Sequence, residues 1–159
     1  MAQDKDHIKS NYPLPAFSYR VTIIADAEPI EFSFAEVSGL SVEYEPVTYK
    51  HGFSFVMGSK IIPGMRQPIT LSMSRGIVQN RDQLNSWLSD AYGNPFSTTA
   101  KRDILIDLCD EEGQPVVRWT VKDALPTKLD APTFDADSND VAIESIEFIA
   151  HDLKIEHNP

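Results

Sequence analysis

Ser38-Gly39-Leu40-Ser41-Val42-Glu43-Tyr44-Glu45-Pro46-Val47-Thr48-Tyr49 is the stretch whose reading decides the fold. Apolar and polar residues alternate along it, the pattern of an extended strand. It breaks at Lys50-His51-Gly52, resumes from Phe53 to Met57, and breaks again at Gly58. Ile61-Ile62-Pro63-Gly64-Met65 follows, then the strand-like Ile69-Thr70-Leu71-Ser72-Met73, closed by Arg75-Gly76. The internal glycines and prolines would be avoided in a buried sheet. The run therefore reads as a hairpin arm, about residues 40–67, leaving a body. Pro63-Gly64 suits the central pair of a type II turn. A lone chain has little to bury such an arm against, so the surface must come from another copy, and an assembly subunit is the first expectation.

The residues assigned to that contact are Val42, Tyr44, Tyr49, Phe53, Phe55, Met57, Ile61, Ile62 and Met65. Charges separate along the arm, with Glu43 and Glu45 early and Lys50, Lys60 and Arg66 later. A subunit with opposite signs at its two ends stacks head to tail.

Outward from the arm, the chain reads as one domain. Its 159 residues suit a single core. Residues 1–16 are a polar and proline-spaced extension, 17–153 the body with its arm, and 154–159 a loose tail. Phe17, Tyr19, Val21 and Ile23 share one face of a first strand, and Asp26-Ala27-Glu28-Pro29 is a turn. Ile30 to Val37 is the second strand of that hairpin, with Ile30, Phe32 and Phe34 on its apolar face. Residues 80–92 form the one helix, because Leu84, Trp87, Leu88 and Ala91 make a single apolar stripe. Asn80 and Gln83 suit a capping box, Gly93 a left-handed C-terminal cap, and Pro95 a stop.

Lys101 to Cys109 is a strand with Ile104, Ile106 and Leu108 on one face. Asp103, Leu105, Asp107 and Cys109 lie opposite. Asp110 to Gln114 turns it into a partner carrying Val117, Trp119 and Val121, beside which Val116 is a mismatch. Leu125 to Pro132 reads as irregular. Val141 to Asp152 is the last strand, and its slipped alternation near Ser145 calls for a β-bulge. With six or seven strands, one helix and no βαβ alternation, the fold class is mainly β. It is an antiparallel barrel or sandwich with one flanking α-helix and a long protruding hairpin arm.

Composition excludes several functions. A net charge of −10 argues against specific nucleic-acid binding, which needs clustered Lys and Arg. The single cysteine, Cys109, cannot form an internal disulfide. No apolar run approaches the length of a membrane span, and the first residues lack the apolar core of a signal peptide. Assembly in the cytoplasm is therefore expected. The histidines His7, His51, His151 and His157 are scattered, with no zinc-ligand spacing. Asp135, Asp137, Asn139 and Asp140 begin like a calcium loop but lack its glycine and terminal glutamate. No phosphate loop or nucleophile elbow occurs. No catalytic, cofactor-binding or metal residue is assigned, and the chain reads as no enzyme.

The ordered landmarks resemble the tail-tube family of contractile phages and phage-like contractile injection systems. Those carrying the likeness are Asn11-Tyr12-Pro13-Leu14-Pro15, Phe34-Ala35-Glu36-Val37-Ser38-Gly39-Leu40, Tyr49-Lys50-His51-Gly52 and Lys60-Ile61-Ile62-Pro63-Gly64. Ile69-Thr70-Leu71 with Arg75-Gly76, Leu84 to Leu88, Asp103-Ile104 to Gly113-Gln114-Pro115-Val116 and Ala142 to Glu147 with Ala150-His151 continue it. The resemblance implies hexameric rings stacked into a hollow tube, with the arm reaching neighbours and the next ring. It implies a surrounding sheath protein, baseplate and tube-terminating partners, and cargo or genome in the lumen; the net charge of −10 makes an acidic lumen wall the expectation. It also implies that the subunit belongs to a phage tail or a released injection particle. An end-of-tube adaptor shares these landmarks. A monomeric β-sandwich binding module, using Trp87, Trp119 and the tyrosines as a platform, is the reading from another class.

Overall fold

The computed structural model describes residues 11–53, 58–77, 83–94, 96–97 and 100–159. Alternating apolar residues build β1 (Tyr19–Ala25) and β2 (Glu28–Phe32), joined through Asp26 and Ala27. Both joining residues have left-handed φ, 48° and 68°, as in a type I′ turn whose twist matches a hairpin. The turn is shorter than the four residues read from sequence, because Glu28 and Pro29 already pair with Ala25 and Ile24. Phe17 precedes β1 and is exposed, so it does not share the face of Val21 and Ile23.

The single strand expected from Ile30 to Val37 is two. The chain leaves β1 after Phe32, and β3 (Glu36–Ser38) pairs instead with β6 (Ile69–Gly76). The Tyr19 hydroxyl pins this corner by donating to the Phe34 carbonyl at 2.6 Å. Burial, aided by the nearby Glu36 charge, raises the Tyr19 pKa above its ordinary value and keeps the proton in place.

The remaining strands are β7 (Arg102–Cys109), β8 (Pro115–Asp130), β9 (Ile143–Ala150) and β10 (Asp152–His157). The sheet order is β2-β1-β7-β8-β9-β6-β3, with β10 also on β8, and every pairing is antiparallel. The first part of β8 pairs with β7 and β10, and its last part with β9. β8 bends at Asp123, where φ is 51° and the backbone N–H donates to Asp103 Oδ1 at 3.0 Å. The facing chain breaks at His151, between β9 and β10. These two kinks fold one long sheet over on itself as an open barrel.

The kinks and bulges account for four departures from the sequence reading. Leu125 to Asp130 is strand, not irregular, because a register shift between Pro126 and Lys128 absorbs the buried proline. The bulge expected near Ser145 is absent: β9 pairs evenly with β6, and Ile143 points outward. A register shift between Leu108 and Cys109 takes up Val116, leaving Cys109 buried and Leu108 half-buried. The segment expected to be a loose tail carries most of β10, whose Ile155 and His157 pair with Trp119 and Val117.

The core lies inside the folded sheet. Val21, Ile23, Ile104, Ile106 and Val121 face Leu71, Met73, Ile146 and Phe148. Helix α1 (Gln83–Gly93) closes it with Leu84, Trp87 and Ala91. Asn80 and Pro95 lie outside the described residues. Gly93 remains within the helix without a left-handed φ, so the expected cap is not formed. Instead, Asn94 N–H continues the ladder to the Asp90 carbonyl at 3.0 Å.

The arm is a separate two-stranded ribbon, β4 (Tyr44–Tyr49) with β5 (Lys60–Arg66). Pro63-Gly64 is not its turn. Pro63 pairs with Pro46, and the register then shifts so that Gly64 and Met65 stand opposite Glu45. This is a β-bulge, and a side chain at Gly64 would overlap the Glu45 carbonyl oxygen. At the root, Gly39 has a φ of 93° and lies against the Thr70 carbonyl, where a methyl group has no room. Gly39→Ala is expected to lower stability by about 2–4 kcal/mol through backbone strain and displacement, read as a lower midpoint in urea unfolding.

Candidate assembly surfaces

Local sequence dictates the arm's exposure. Tyr44, Val47 and Tyr49 on β4 and Ile61, Ile62 and Met65 on β5 are all exposed, with Ile61 at 74% and Met65 at 83%. Val47 pairs with Ile62 on one face of the ribbon, and Thr48 with Ile61 on the other. Both faces thus present apolar side chains. A two-stranded ribbon in water is marginal by itself, so its order depends on covering. Val42 and Phe53 are exposed as well. Phe55 and Met57 lie outside the described residues. Val47, missing from the sequence-derived contact set, was legible from the same alternation as Tyr49.

The hairpin rearranges the charges. Lys50 and Lys60 come together at the far end, since Tyr49 pairs with Lys60. Arg66 does not join them; it returns to the base, opposite Tyr44. There its guanidinium donates to Asp152 Oδ1 at 2.6 Å and to the Leu153 carbonyl at 2.7 Å, and it lies over the Tyr44 ring. Gln67 adds two ties, from its backbone N–H to the Glu43 carbonyl and from its amide to Glu45. Glu43 and Glu45 therefore mark an acidic base and the two lysines a basic far end.

The carboxylates of Asp103, Asp107 and Asp110 are all taken up by structural hydrogen bonds. Asp107 is buried and accepts a two-pronged pair from Arg118 at 2.7 and 3.0 Å. That hydrogen bond raises the Arg118 pKa and fixes both charges. Asp103 holds the Asp123 N–H. Asp110 Oδ1 accepts the N–H groups of Glu112 and Gln114 and shapes its turn. Cys109 is buried. Among the described residues, no group of three His, Cys, Asp or Glu side chains is placed to hold a metal ion. The aromatic platform does not form either: Trp87 is fully buried, and Trp119 packs half-buried against the core.

Three sheet margins remain open among the described pairings: β2 and β3 at the ends of the order, and β10 beyond β8. Unpaired edges invite strand addition by another chain. Sequence periodicity could not reveal them, because edge position is a property of strand order.

A family model described as T4-like virus tail tube protein gp19 matches residues 15–154. No curated protein sequence matches the chain. Among solved structures, the tube-terminating cap of the anti-feeding prophage is 30% identical, with 92% of this chain and 93% of that chain covered and a TM-score of 0.79. The PVC sheath–tube complex of an extracellular contractile injection system, in its extended state, includes a chain 27% identical. There the match covers 98% of this chain and 99% of that one, with a TM-score of 0.82. The sheath/tube terminator of the same system is 28% identical over 92% and 98% of the two chains, with a TM-score of 0.77.

Proposed function

The chain belongs to the T4-like virus tail tube protein family, a family of structural tube proteins rather than enzymes, and on that premise we propose that it is the repeating subunit of the inner tube. It is a tail tube protein of a phage-like contractile injection particle. No described helix is long and apolar enough to cross a membrane. In the proposed tube, six copies close into a ring through their open strand edges. The rings stack head to tail, and the arm reaches the neighbouring ring. Such an arrangement is a heterologous contact that closes in one direction and repeats in the other.

The observation that carries this reading is the exposed ribbon. Tyr44, Tyr49, Ile61, Ile62 and Met65 on the ribbon, with Val42 and Phe53 flanking β4, are left uncovered by their own domain. They form the inter-subunit contact, with Phe55 and Met57 completing it. Glu43 and Glu45 at the base and Lys50 and Lys60 at the far end set its polarity, while Arg66 ties the base to Asp152. A repeating tube subunit is favoured over a terminating cap because the tube structure aligns almost end to end, whereas the cap leaves a larger share of this chain unmatched. The outer partner is a sheath protein, as in the PVC complex, and tube-terminating and baseplate proteins bound the two ends. The lumen passes cargo.

Negative-stain microscopy of the purified protein tests the proposal. Hollow rods many rings long are expected. Isolated rings without rods favour the terminating role, and a monomer at high concentration overturns the assembly reading.

A further inference from the structure

The arm and the body are two lengths of one hairpin with a break between them. β3 and β6 pair from Glu36 opposite Ser74 to Ser38 opposite Ser72, and pairing resumes in the ribbon at Tyr44 opposite Arg66. Among the described residues, no ladder links the ribbon to the main sheet. On one side of the break, Gly39 takes a φ of 93° against the Thr70 carbonyl, and Ser41, Val42 and Glu43 are exposed. On the other, Gln67 and Pro68 alone separate β5 from β6. The bond from the Gln67 N–H to the Glu43 carbonyl lies on the arm's side and closes the base of the ribbon. A ribbon attached by two short unpaired segments swings as a unit, as about a hinge.

The Arg66 side chain spans this break. Its Nη1 donates to Asp152 Oδ1 at 2.6 Å and its Nη2 to the Leu153 carbonyl at 2.7 Å. Asp152 and Leu153 open β10, directly after the kink at His151. Leu153 is buried and pairs with Val121, itself fully buried, so its carbonyl is a rigid anchor. The same guanidinium lies over the ring of Tyr44, 5.9 Å from its centroid, and Tyr44 stands on the other ribbon strand. One side chain thus grips both strands of the arm and the body at once. Its stabilising effect is small. Asp152 is 56% exposed, and the Arg66 Nε–H is buried without a partner among the described residues, which offsets part of the gain. What the two-pronged contact supplies is direction.

We propose that Arg66 is a positioning residue, a latch that fixes the direction of the arm relative to the body before a second copy is met. The inference rests on the tube reading and adds to it the device that orients the arm. An arm already held in one direction loses little further freedom on association. An unlatched arm samples many directions, and its apparent affinity falls by the fraction of time spent in the competent one. The apolar surface of the ribbon and the fold of the body are the same in both states.

The test compares the wild-type protein with Arg66→Gln, and with Asp152→Asn at an exposed position should Arg66→Gln fail to fold. Arm direction is read in protein diluted until no rods remain, as the distance distribution between spin labels at Thr48→Cys on β4 and Glu112→Cys in the turn before β8. Cys109 is buried and stays unlabelled. The distribution is expected to be narrow with the latch intact and roughly twofold broader in Arg66→Gln, with the thermal midpoint by circular dichroism unchanged. An arm competent about one tenth of the time raises the concentration needed for rods about tenfold, read by sedimentation. A distribution equally narrow in Arg66→Gln overturns the latch. A broadened distribution with an unchanged rod threshold overturns its part in assembly and leaves the tube standing. Absence of rods from the wild-type protein overturns the tube reading, and the label distances then still decide whether Arg66 holds the arm.

Discussion

Replacing Ile61 and Ile62 together with aspartate abolishes rods at concentrations where the wild-type protein forms them, and leaves the thermal midpoint of the unassembled protein unchanged. The two side chains lie on opposite faces of the ribbon and are exposed in the single chain. A charge at either costs the isolated domain little. Covered by a neighbour, each carboxylate loses its water without gaining a partner, at about 1.5–2 kcal/mol or more per site. Two sites raise the concentration needed for assembly by roughly a hundredfold to a thousandfold. Single variants separate the faces. Equal losses place the ribbon between two surfaces, and a loss confined to one variant shows that only one face is covered. Sedimentation velocity across a concentration series measures both. Rods that persist in the double variant remove the arm from the interface.

The opposite outcome is expected for Trp87→Ala, which attacks the fold rather than the contact. The indole is fully buried, stacks 5.0 Å from the Phe148 ring, and donates from Nε1 to the Ala100 carbonyl at 3.0 Å. The Arg102 guanidinium lies over the indole ring, 5.0 Å from its centroid. Truncation empties the space between α1 and β9 and strips the Ala100 carbonyl of its donor. The expected loss is about 3–5 kcal/mol, which lowers the melting midpoint by roughly 10 °C for a domain of this size. Trp87→Phe retains the ring packing and loses less. Thermal unfolding followed by circular dichroism measures the difference. A midpoint unchanged in Trp87→Ala means that α1 does not stabilise the core it packs on.

These two residues types mark where local pattern suffices and where it fails. The strict alternation through Val21 and Ile23, and through Ile104 and Ile106, predicts strands because period two puts those side chains on one face whatever the partner strand is. The 3.6-residue stripe of Leu84, Trp87 and Ala91 predicts the buried face of α1 for the same reason. The arm was legible as an apolar run too broken for a core. Its turn was not. Pro63-Gly64 is ideal turn chemistry by propensity, yet cross-strand pairing with Pro46 draws it into a bulge.

Leu125 to Asp130 was misread for a related reason: proline removes one donor, and a bulge opposite Phe148 makes that donor unnecessary. β10 escaped notice because a short polar strand becomes stable only when β8 offers it an edge.

By itself the sequence determined a β-rich domain with one amphipathic helix and an arm its own body could not bury. Those properties depend on neighbours within a few residues along the chain. Tertiary structure alone decided which edges stay open and which charges share an end. Strand order and register place residues far apart in sequence beside one another, and no local periodicity encodes that choice.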